Sequence, residues 1–256
     1  MATDTTTIYI YRGDASGGEE RPYLVEISPG MVILDAIHYI QANDAPDLAV
    51  RWNCKAAHCG SCSAEINGHP RLLCKTRLDD YLATDTPVHV RPMKTFPIIR
   101  DLVTDVSWNY RMAKRIPPFH PAHPAPFTLD QRDVARIQEF RRCIECFLCQ
   151  DICHVIRDHD AKDAYMGPRF MAKLAELEMH PMDTENRIPF VRNDAGLGWC
   201  NVTHCCSEVC PEGIEITGNA IIPLKERLAD QFWDPVRRIF RRSSLTDVGQ
   251  HEPKDS

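Results

Sequence analysis

The stretch RRCIECFLCQDICHVIRDH, residues 141–159, decides the fold of the second half of the chain, because it places four cysteines within eleven residues. Cys143, Cys146, Cys149 and Cys153 follow the spacing C-x2-C-x2-C-x3-C, which is typical of bacterial ferredoxins. In that arrangement the first three cysteines hold one cubane cluster, and the fourth belongs to a second cluster. The first three therefore need a fourth ligand from elsewhere in the chain, and Cys153 needs companions.

A second cysteine-rich stretch, CNVTHCCSEVCPEG at residues 200–213, supplies both. Cys210 precedes Pro211, and this Cys-Pro ending is typical of the remote ligand. We therefore expect Cys210 to complete the cubane, and we expect Cys200 and Cys206 to join Cys153. The two stretches together predict two adjacent clusters whose ligands are interleaved along the chain.

The second of these clusters has only three predicted ligands, because Thr203 stands three residues after Cys200, where a cubane ligand is expected. A neutral hydroxyl is a poor iron ligand beside thiolates, so we predict a [3Fe–4S] cluster here. Cys205 is left over, and we interpret it as a buried free thiol. The alternative is that Cys205 is a fourth ligand, which would give a [4Fe–4S] centre instead.

A further group of cysteines begins with CKAAHCGSC at residues 54–62. Its spacing, C-x4-C-x2-C-x11-C, is the plant-type [2Fe–2S] pattern. The predicted ligands are Cys54, Cys59, Cys62 and Cys74. Asn67-Gly68 is a strong hairpin signal, and a hairpin there would return Cys74 to the side of Cys62. The small residues Gly60 and Ser61 would let backbone N–H groups approach the sulfurs.

Composition and charge exclude several classes of protein. Twelve cysteines in 256 residues are fewer than the ~8–10% typical of disulfide scaffolds, and clustered cysteines in a cytosolic chain indicate metal or redox chemistry. The net charge of −6 gives no basic footprint for nucleic acid. We find no apolar run near the ~18 residues of a membrane span and no signal peptide. We therefore expect a soluble cytosolic chain that contacts a membrane only through partners.

The first hundred residues read as strands around one helix. TTIYIYR at residues 6–12 alternates, with Ile8 and Ile10 on one face, and YLVEI at residues 23–27 is a second predicted strand. SPGMVILDAIHYIQAND carries apolar residues at helical spacing, namely Val32, Ile33, Ala36, Ile37 and Ile40. TPVHVRPM at residues 86–93 is predicted as the last strand. This pattern indicates a small α+β domain over residues 1–105.

After Arg100 the strand signals stop. The proline-rich stretch at residues 116–128 predicts an extended connector, whose Phe119 and Phe127 are candidates for docking on another surface. TLDQRDVARIQEF predicts a helix with Thr128 as its N-cap. Its apolar face is predicted to contain Leu129, Val134, Ile137 and Phe140.

Two more helices follow in the predicted helical domain, residues 106–240. GPRFMAKLAELEMH is amphipathic, and its apolar face contains Phe170, Met171, Leu174 and Leu177. TGNAIIPLKERLADQFW is predicted as a helix that is kinked or begun at Pro223. Residues 241–256 form a polar tail that we expect to be disordered. We see no long-period repeat in the sequence.

With these motifs in order, the chain resembles the iron–sulfur subunit of the succinate dehydrogenase/fumarate reductase family. The resemblance covers about residues 5–235 and rests on the three cysteine strings and on FPIIRDLVTDVS, YMGPRFMAKLAE and CPEGIEITGNAI. It implies an N-terminal β-grasp, plant-type ferredoxin domain followed by an all-α, bacterial-ferredoxin-like domain. These would carry a [2Fe–2S] cluster, and a [4Fe–4S] and a [3Fe–4S] cluster, respectively.

The same resemblance implies a relay of electrons. A flavoprotein subunit oxidises succinate at FAD, and electrons pass singly through the three clusters to a quinone at a membrane-anchor subunit. Run backwards with a low-potential quinol, the relay would reduce fumarate. The chain itself would carry no acid–base catalyst, and partners would hold it at the cytoplasmic face of the inner (plasma) membrane.

The chain departs from the family pattern near the predicted quinone end. His154 follows Cys153 where family members commonly have Pro, and Asn201 follows Cys200 where many have His. We therefore assign no quinone residue, and we expect His154 and His204 to be solvated or interface side chains. The alternatives are the iron–sulfur subunit of another flavoprotein dehydrogenase, a free ferredoxin-like carrier, and a structural zinc module.

Overall fold

The computed structural model describes residues 4–122 and 128–232, and its secondary structure changes along the chain from strands to helices. The strands are β1 (Thr5–Asp14), β2 (Gly17–Glu26), β3 (Ser63–Ile66), β4 (His69–Leu72), β5 (Val88–Arg91), β6 (Ile98–Arg100) and β7 (Val103–Thr104). The helices are α1 (Ile33–Asn43), α2 (Asp79–Leu82), α3 (Ser107–Ala113), α4 (Gln131–Gln138), α5 (Leu148–Asp151), α6 (His154–Arg157), α7 (Pro168–Glu178), α8 (Ile188–Asn193), α9 (Cys205–Glu208) and α10 (Ile222–Phe232). This distribution confirms an α+β layout.

The strands form one mixed sheet around β1. Its order is β4-β3-β5-β1-β6-β7, β2 pairs antiparallel with β1, and β1 runs parallel to β5. Ile8 and Ile10 of β1 are fully buried, as their alternation predicts, and they pack in one core with α1. The prediction that residues 86–93 are the last strand is wrong, because β6 and β7 follow as an antiparallel pair. Each is too short to show a periodic apolar pattern.

Helix α1 forms where the sequence predicts it. Its buried side chains include Ile33, Ala36, Ile37 and Ile40, which recur at helical spacing. The Asp35 carboxylate accepts a hydrogen bond from the Val32 amide at 3.2 Å, which satisfies one of the free N–H groups at the start of the helix. Val32 itself lies half-buried just before the helix.

Helix α4 begins later than predicted. Asp130, and not Thr128, is its N-cap, and the Asp130 side chain accepts a hydrogen bond from the Arg132 amide at 2.8 Å. Asp and Thr are both favoured N-cap residues. Asp130 lies only two positions after Thr128, so the sequence offers two N-caps close together. Ile137 and Phe140 are buried as predicted, whereas Leu129 precedes the helix and stays 37% exposed.

Helices α7 and α10 pack against the second core. Phe170, Met171 and Leu174 of α7 are buried there, and Leu177 is half-buried. A π-helical turn, Ile216–Ile221, leads directly into α10. Pro223 therefore lies in the first turn of α10, just after the π-helical turn, so the predicted kink or start at Pro223 coincides with a change of helix type.

The proline-rich connector is held against the helical part by a buried arginine. Arg187 is fully buried. It donates to the carbonyl oxygen of Pro117 at 2.9 Å and also to that of Pro118, and its guanidinium pairs with Asp183 at 2.9 Å. The ring of Phe119 packs edge-on against His180 at 4.9 Å between centroids. Phe119 thus contacts the helical part but stays 38% exposed, so its docking on another surface remains a prediction.

Three predictions lie partly or wholly beyond the described residues. These concern Phe127, the end of the helical domain at residue 240 and the polar tail 241–256. The domain limits 1–105 and 106–240 remain predictions. Among residues 4–122 and 128–232, no helix has both the length and the apolar character needed to cross a bilayer.

Candidate metal centres

The first cysteine group, Cys54, Cys59, Cys62 and Cys74, lies at one end of the sheet. The Asn67-Gly68 hairpin joins β3 to β4 with positive φ at both residues, +50° and +77°, as a type I′ turn requires. The Leu73 amide donates to the Cys62 carbonyl oxygen at 3.0 Å. The hairpin therefore places Cys74 beside Cys62, as the sequence predicts.

The loop of the first group turns its backbone N–H groups toward sulfur. The amides of Ala56 and His58 donate to Cys54 Sγ at 3.4 and 3.3 Å, and His58 itself is exposed. Burial alone would raise the pKa of Cys59, but hydrogen bonds from Ser61 and from the Cys54 amide lower it to about 6. Such N–H···S contacts stabilise the thiolate that binds iron.

The second group, Cys143, Cys146, Cys149 and Cys210, lines one small cavity in the helical part. Burial, and then the charges of the neighbouring Cys143 and Cys210, raise the pKa of Cys146 to about 12. The pKa of Cys149 is also raised, first by burial and then by the other thiols of the group. Four close thiols, of which Cys146 and Cys149 are buried, repel one another when ionised, so a bound cation that displaces their protons would stabilise the site.

The third group contains Cys153, Cys200 and Cys206. Burial, and then the charges of the nearby Cys205, Cys200 and Cys153, raise the pKa of Cys206 to about 12. The structure therefore brings together the three predicted ligands, but it also places Cys205 close to them. The binding of iron by these cysteines remains a prediction.

Loop 200–210 repeats the backbone of loop 143–153. Glu145 and Phe147 have φ of +54° and +61°, and Val202 and His204, at the matching positions, have +61° and +63°. Helix α9 likewise begins and ends at the positions that match α5. The cysteine intervals already indicate this repeat, although the two loops share little else in sequence.

The repeat pairs each position of loop 200–210 with a position of loop 143–153. Cys200, Cys206 and Cys210 match Cys143, Cys149 and Cys153, whereas Thr203 matches the ligand position of Cys146. Cys205 matches Leu148, a core residue that is 1% exposed. Cys205 Sγ lies 3.3 Å from Thr203 Oγ1, so the two side chains can share a hydrogen bond.

Gly60 and Ser63 join the first group to the second. The Ser63 hydroxyl lies 2.9 Å from the carbonyl oxygens of both Gly60 and Cys146, and this contact is buried. Gly60 has φ of +66°, and a Cβ atom at this position would lie 2.7 Å from Cys146 Cα. Only glycine therefore lets the two cysteine loops approach this closely.

Two buried polar side chains were missed by the sequence analysis. Tyr165 is 1% exposed and its hydroxyl has no hydrogen-bond partner within the described residues. Burial raises the pKa of Tyr165 well above its ordinary value, and the thiols of Cys200 and Cys153 add to this. Arg169 Nε is likewise buried without a partner in the described part of the chain. Both lie beside cysteines that are distant in sequence, so no local pattern marks them.

The donor set fits iron–sulfur clusters. Cysteine thiolates are the ligands of such clusters, and concave loops with positive φ present N–H groups to sulfur. Within residues 4–122 and 128–232, no three His, Cys, Asp or Glu side chains converge closely enough to hold a single ion. A cluster spreads its ligands more widely than one ion does, because the cysteines are shared among several irons.

Comparisons with protein families agree with this donor set. Residues 7–110 match the family described as a 2Fe-2S iron-sulfur cluster binding domain, and residues 139–214 match a 4Fe-4S dicluster domain. The first match contains the first group, and the second contains the second and third groups. The chain therefore has one 2Fe-2S domain and one 4Fe-4S dicluster domain. These matches argue against the structural zinc module.

Individual relatives identify the family more specifically than the domain matches do. A solved structure described as the Mycobacterium smegmatis Sdh1 complex in the apo form has a chain that is 55% identical with a TM-score of 0.88, over 92% of this chain and 100% of that one. The fumarate reductase iron-sulfur subunit of Mycobacterium tuberculosis is 32% identical, over 77% of this chain and 81% of the relative. The succinate dehydrogenase iron-sulfur subunit of Bacillus subtilis is 28% identical, over 77% and 82%. The chain thus belongs to the family of succinate dehydrogenase and fumarate reductase iron–sulfur subunits, the electron-transfer subunits of an oxidoreductase.

Proposed function

We propose that this chain relays electrons between the FAD of a flavoprotein subunit and a quinone at a membrane-anchor subunit, in a succinate:quinone oxidoreductase. The observation that supports the proposal best is the arrangement of the three cysteine groups, each of which contacts the next. The first group meets the second at Gly60 and Cys146. The second meets the third where Cys149 lies close to Cys206.

The ligand assignments of this proposal follow the cysteine groups. The first group would hold a [2Fe–2S] cluster, the second a [4Fe–4S] cluster and the third a [3Fe–4S] cluster, with Cys205 as a free thiol. The match of Thr203 to Cys146 in the repeated loops supports the three-iron assignment. The order of the groups along the molecule supports the same order of electron transfer.

The finer fold assignment belongs to the same proposal. The pairing of β1 with β5 in parallel, with α1 packed on the sheet, is consistent with a β-grasp ferredoxin domain. The short helices α5 and α9, each following a loop with two left-handed residues, are consistent with a helical, bacterial-ferredoxin-like domain.

The protein's own contribution is to separate, insulate and tune the centres. When bound, iron–sulfur clusters accept and release single electrons at a potential that their surroundings set. Apolar side chains exclude water from the second group, since Ile214 and Ile216 line its cavity beside the cysteines. Loop amides donate to sulfur in the first group, and the Ser63 contact fixes its distance from the second.

The direction of catalysis has two candidates. The 55% identity to a chain of the Sdh1 complex favours succinate oxidation. The relative in Mycobacterium tuberculosis that is named as a fumarate reductase subunit supports the reverse reaction, at 32% identity. Both directions use the same relay, so the direction follows from the partner subunits and the quinone. In either case the chain would bind at the cytoplasmic face of the membrane through those partners.

The test is reduction of this chain by substrate within the assembled complex. The tagged chain is purified from membranes of its host in mild detergent, and EPR spectra are recorded after anaerobic addition of succinate and then of dithionite. We expect a flavoprotein to co-purify and succinate alone to produce the reduced two-iron signal. Reduction by dithionite but never by succinate would contradict the proposal.

A pair of variants shows whether the groups act in series. Cys62→Ala removes a ligand of the first group, and we expect succinate to lose its ability to reduce the third group. Cys205→Ala removes a cysteine that the proposal treats as a free thiol, so it is the matched control and should leave succinate reduction intact. Unchanged reduction of the third group in Cys62→Ala would exclude a serial relay.

A further inference from the structure

An arginine lies at the second cysteine group, and the buried N–H at its Nε atom is unused within the described residues. The side chain of Arg169 is only 12% exposed. It lines the same cavity as the four cysteines of the group. Its Nε atom has no hydrogen-bond partner within the described residues. A buried donor without an acceptor costs about 1–3 kcal/mol, so such a group in a folded protein usually faces an acceptor that the protein itself does not provide.

The rest of Arg169 is held firmly in place. Its amide donates to Oε1 of the buried Gln150 at 3.3 Å. Its Nη2 atom pairs with Glu145 Oε1 at 2.7 Å, and its guanidinium lies 6.0 Å from the ring of Phe170. Arg169 follows Pro168, the first residue of α7, so the backbone position is fixed by the start of a helix. The unused N–H is therefore oriented by packing and is not a freely rotating group.

Sulfur is the acceptor that the cavity offers. Burial lowers the pKa of the Arg169 guanidinium, but the charge of Cys143, the pairing with Glu145 and the charge of Cys149 raise it overall. A guanidinium keeps its charge at every physiological pH, so the group acts as a fixed cation. Glu145 opposes it, but the Glu145 side chain is 49% exposed and its charge is better screened by solvent.

Resting on the proposed function, we propose that Arg169 sets the reduction potential of the cluster held by the second group. Its Nε–H donates to a sulfur of that cluster or of its cysteines, and its charge stabilises the reduced form. Reduction adds one electron to the cluster and transfers no proton, because the guanidinium stays protonated. Hydrogen bonds and positive charge near sulfur both favour reduction. Arg169 thereby makes the second group easier to reduce than its burial alone would allow.

The test is redox titration of the purified complex, monitored by EPR, with four variants. Arg169→Gln removes the charge and the Nε donor. Arg169→Lys keeps the charge and loses the Nε donor. Glu145→Gln removes the opposing charge. Lys173→Gln, one turn further along α7, removes an equal charge from a side chain that pairs with Glu176 and does not line the cavity.

We expect Arg169→Gln to lower the equilibrium constant for reducing the second cluster about tenfold, which is 59 mV for a one-electron couple. Arg169→Lys should fall between this variant and the unmodified protein, and Glu145→Gln should shift the constant in the opposite direction. Lys173→Gln should change it less than about twofold, because an exposed charge is screened. The [2Fe–2S] signal in each sample is an internal reference that should not move.

An unchanged constant in Arg169→Gln, or an equal shift of all clusters, would overturn the inference. If Arg169→Gln fails to hold the cluster, Arg169→Lys and Glu145→Gln decide the matter. Opposite shifts in these two support the inference, and no shift in either overturns it. Absence of a cubane signal in the unmodified complex would instead contradict the proposed function, so the two failures can be told apart.

Discussion

Loop 143–153 and loop 200–210 have the same backbone conformation but different surroundings and one different ligand position. In the first loop, Cys146 is 8% exposed and packs against the N-terminal part of the chain. In the second, the matching residue is Thr203, which is exposed. We infer that the backbone specifies where a cluster can bind, whereas single side chains specify which cluster it is.

The helices that follow the two loops differ in the same way. Asp151, in α5, is fully buried and accepts a hydrogen bond from the Thr95 amide at 2.9 Å. Arg157 contacts Asp151 and also Glu65, so one guanidinium pairs with two carboxyl groups at the boundary with the sheet. Glu208, the residue of α9 that matches Asp151, is exposed. The first loop is thus fastened to the sheet, and the second faces outward.

The largest expected effect comes from the adjacent cysteines of the second loop. Cys206→Ala removes the residue that matches Cys149, so we expect loss of the third cluster and of its EPR signal. Cys205→Ala removes the residue that matches Leu148, and we expect the iron content to stay unchanged. The measurement is iron content with EPR on the oxidised protein. Equal iron loss in both variants would show that the repeat does not define the ligands.

A gain of ligand should follow from making the loops more alike. Thr203→Cys restores the cysteine that the first loop has at Cys146. We expect the three-iron cluster to become a cubane, so the oxidised EPR signal disappears and iron rises by about one atom per chain. Thr203→Ser, which keeps a hydroxyl, is the matched control and should retain the oxidised signal. Persistence of that signal in Thr203→Cys would contradict the correspondence.

The buried carboxyl group of the first loop should make stability depend on pH. Burial, and then the charge of Glu65, raises the pKa of Asp151 from 3.8 to about 7. The folded protein therefore keeps a proton that the unfolded chain releases between these values. This stabilisation is complete below the unfolded pKa of 3.8 and is lost as pH rises through about 7.

The corresponding measurement is the thermal unfolding midpoint of the cluster-loaded protein across this pH range. Asp151→Asn cannot ionise, so we expect a smaller fall of the midpoint with rising pH than in the unmodified protein. Glu208→Gln changes the matching but exposed residue and should keep the original dependence. The same dependence in Asp151→Asn and in the unmodified protein would exclude Asp151 as its source.

The smallest expected effect concerns the buried hydroxyl beside the third group. Tyr165→Phe removes one possible donor to sulfur and little volume. We expect the equilibrium constant for reducing the third cluster to fall about two- to tenfold, which corresponds to the ~0.5–1.5 kcal/mol of one hydrogen bond. The [4Fe–4S] cluster in the same sample should not shift. A change in the second cluster alone would show that Tyr165 serves the other group.

The sequence predicted those features that depend on local spacing. Cysteine intervals indicated the three groups, Asn67-Gly68 indicated the hairpin that returns Cys74, and alternation indicated the buried face of β1. The family assignment from these motifs is confirmed by the relatives. The ligand assignments remain predictions, and they rest on which cysteines the structure brings together.

Features that depend on long-range contact could not be predicted in this way. Arg169 and Tyr165 are ordinary residues in sequence, and only packing brings them to cysteines far along the chain. Arg187 and the prolines that it binds are separated by about seventy residues. The cysteine intervals indicate that the two loops correspond, but their shared backbone angles, with two left-handed residues each, are not marked by any residue pattern.

The most direct test of the central claim is EPR spectroscopy of the purified complex as isolated and during stepwise reduction, with iron and acid-labile sulfide counted on the same sample. We expect about nine irons and ten sulfides in the three clusters of each chain. We also expect a three-iron signal when the sample is oxidised, a two-iron signal on mild reduction and a cubane signal at low potential. Zinc in place of iron, or iron matching a second cubane with no oxidised three-iron signal, would contradict it.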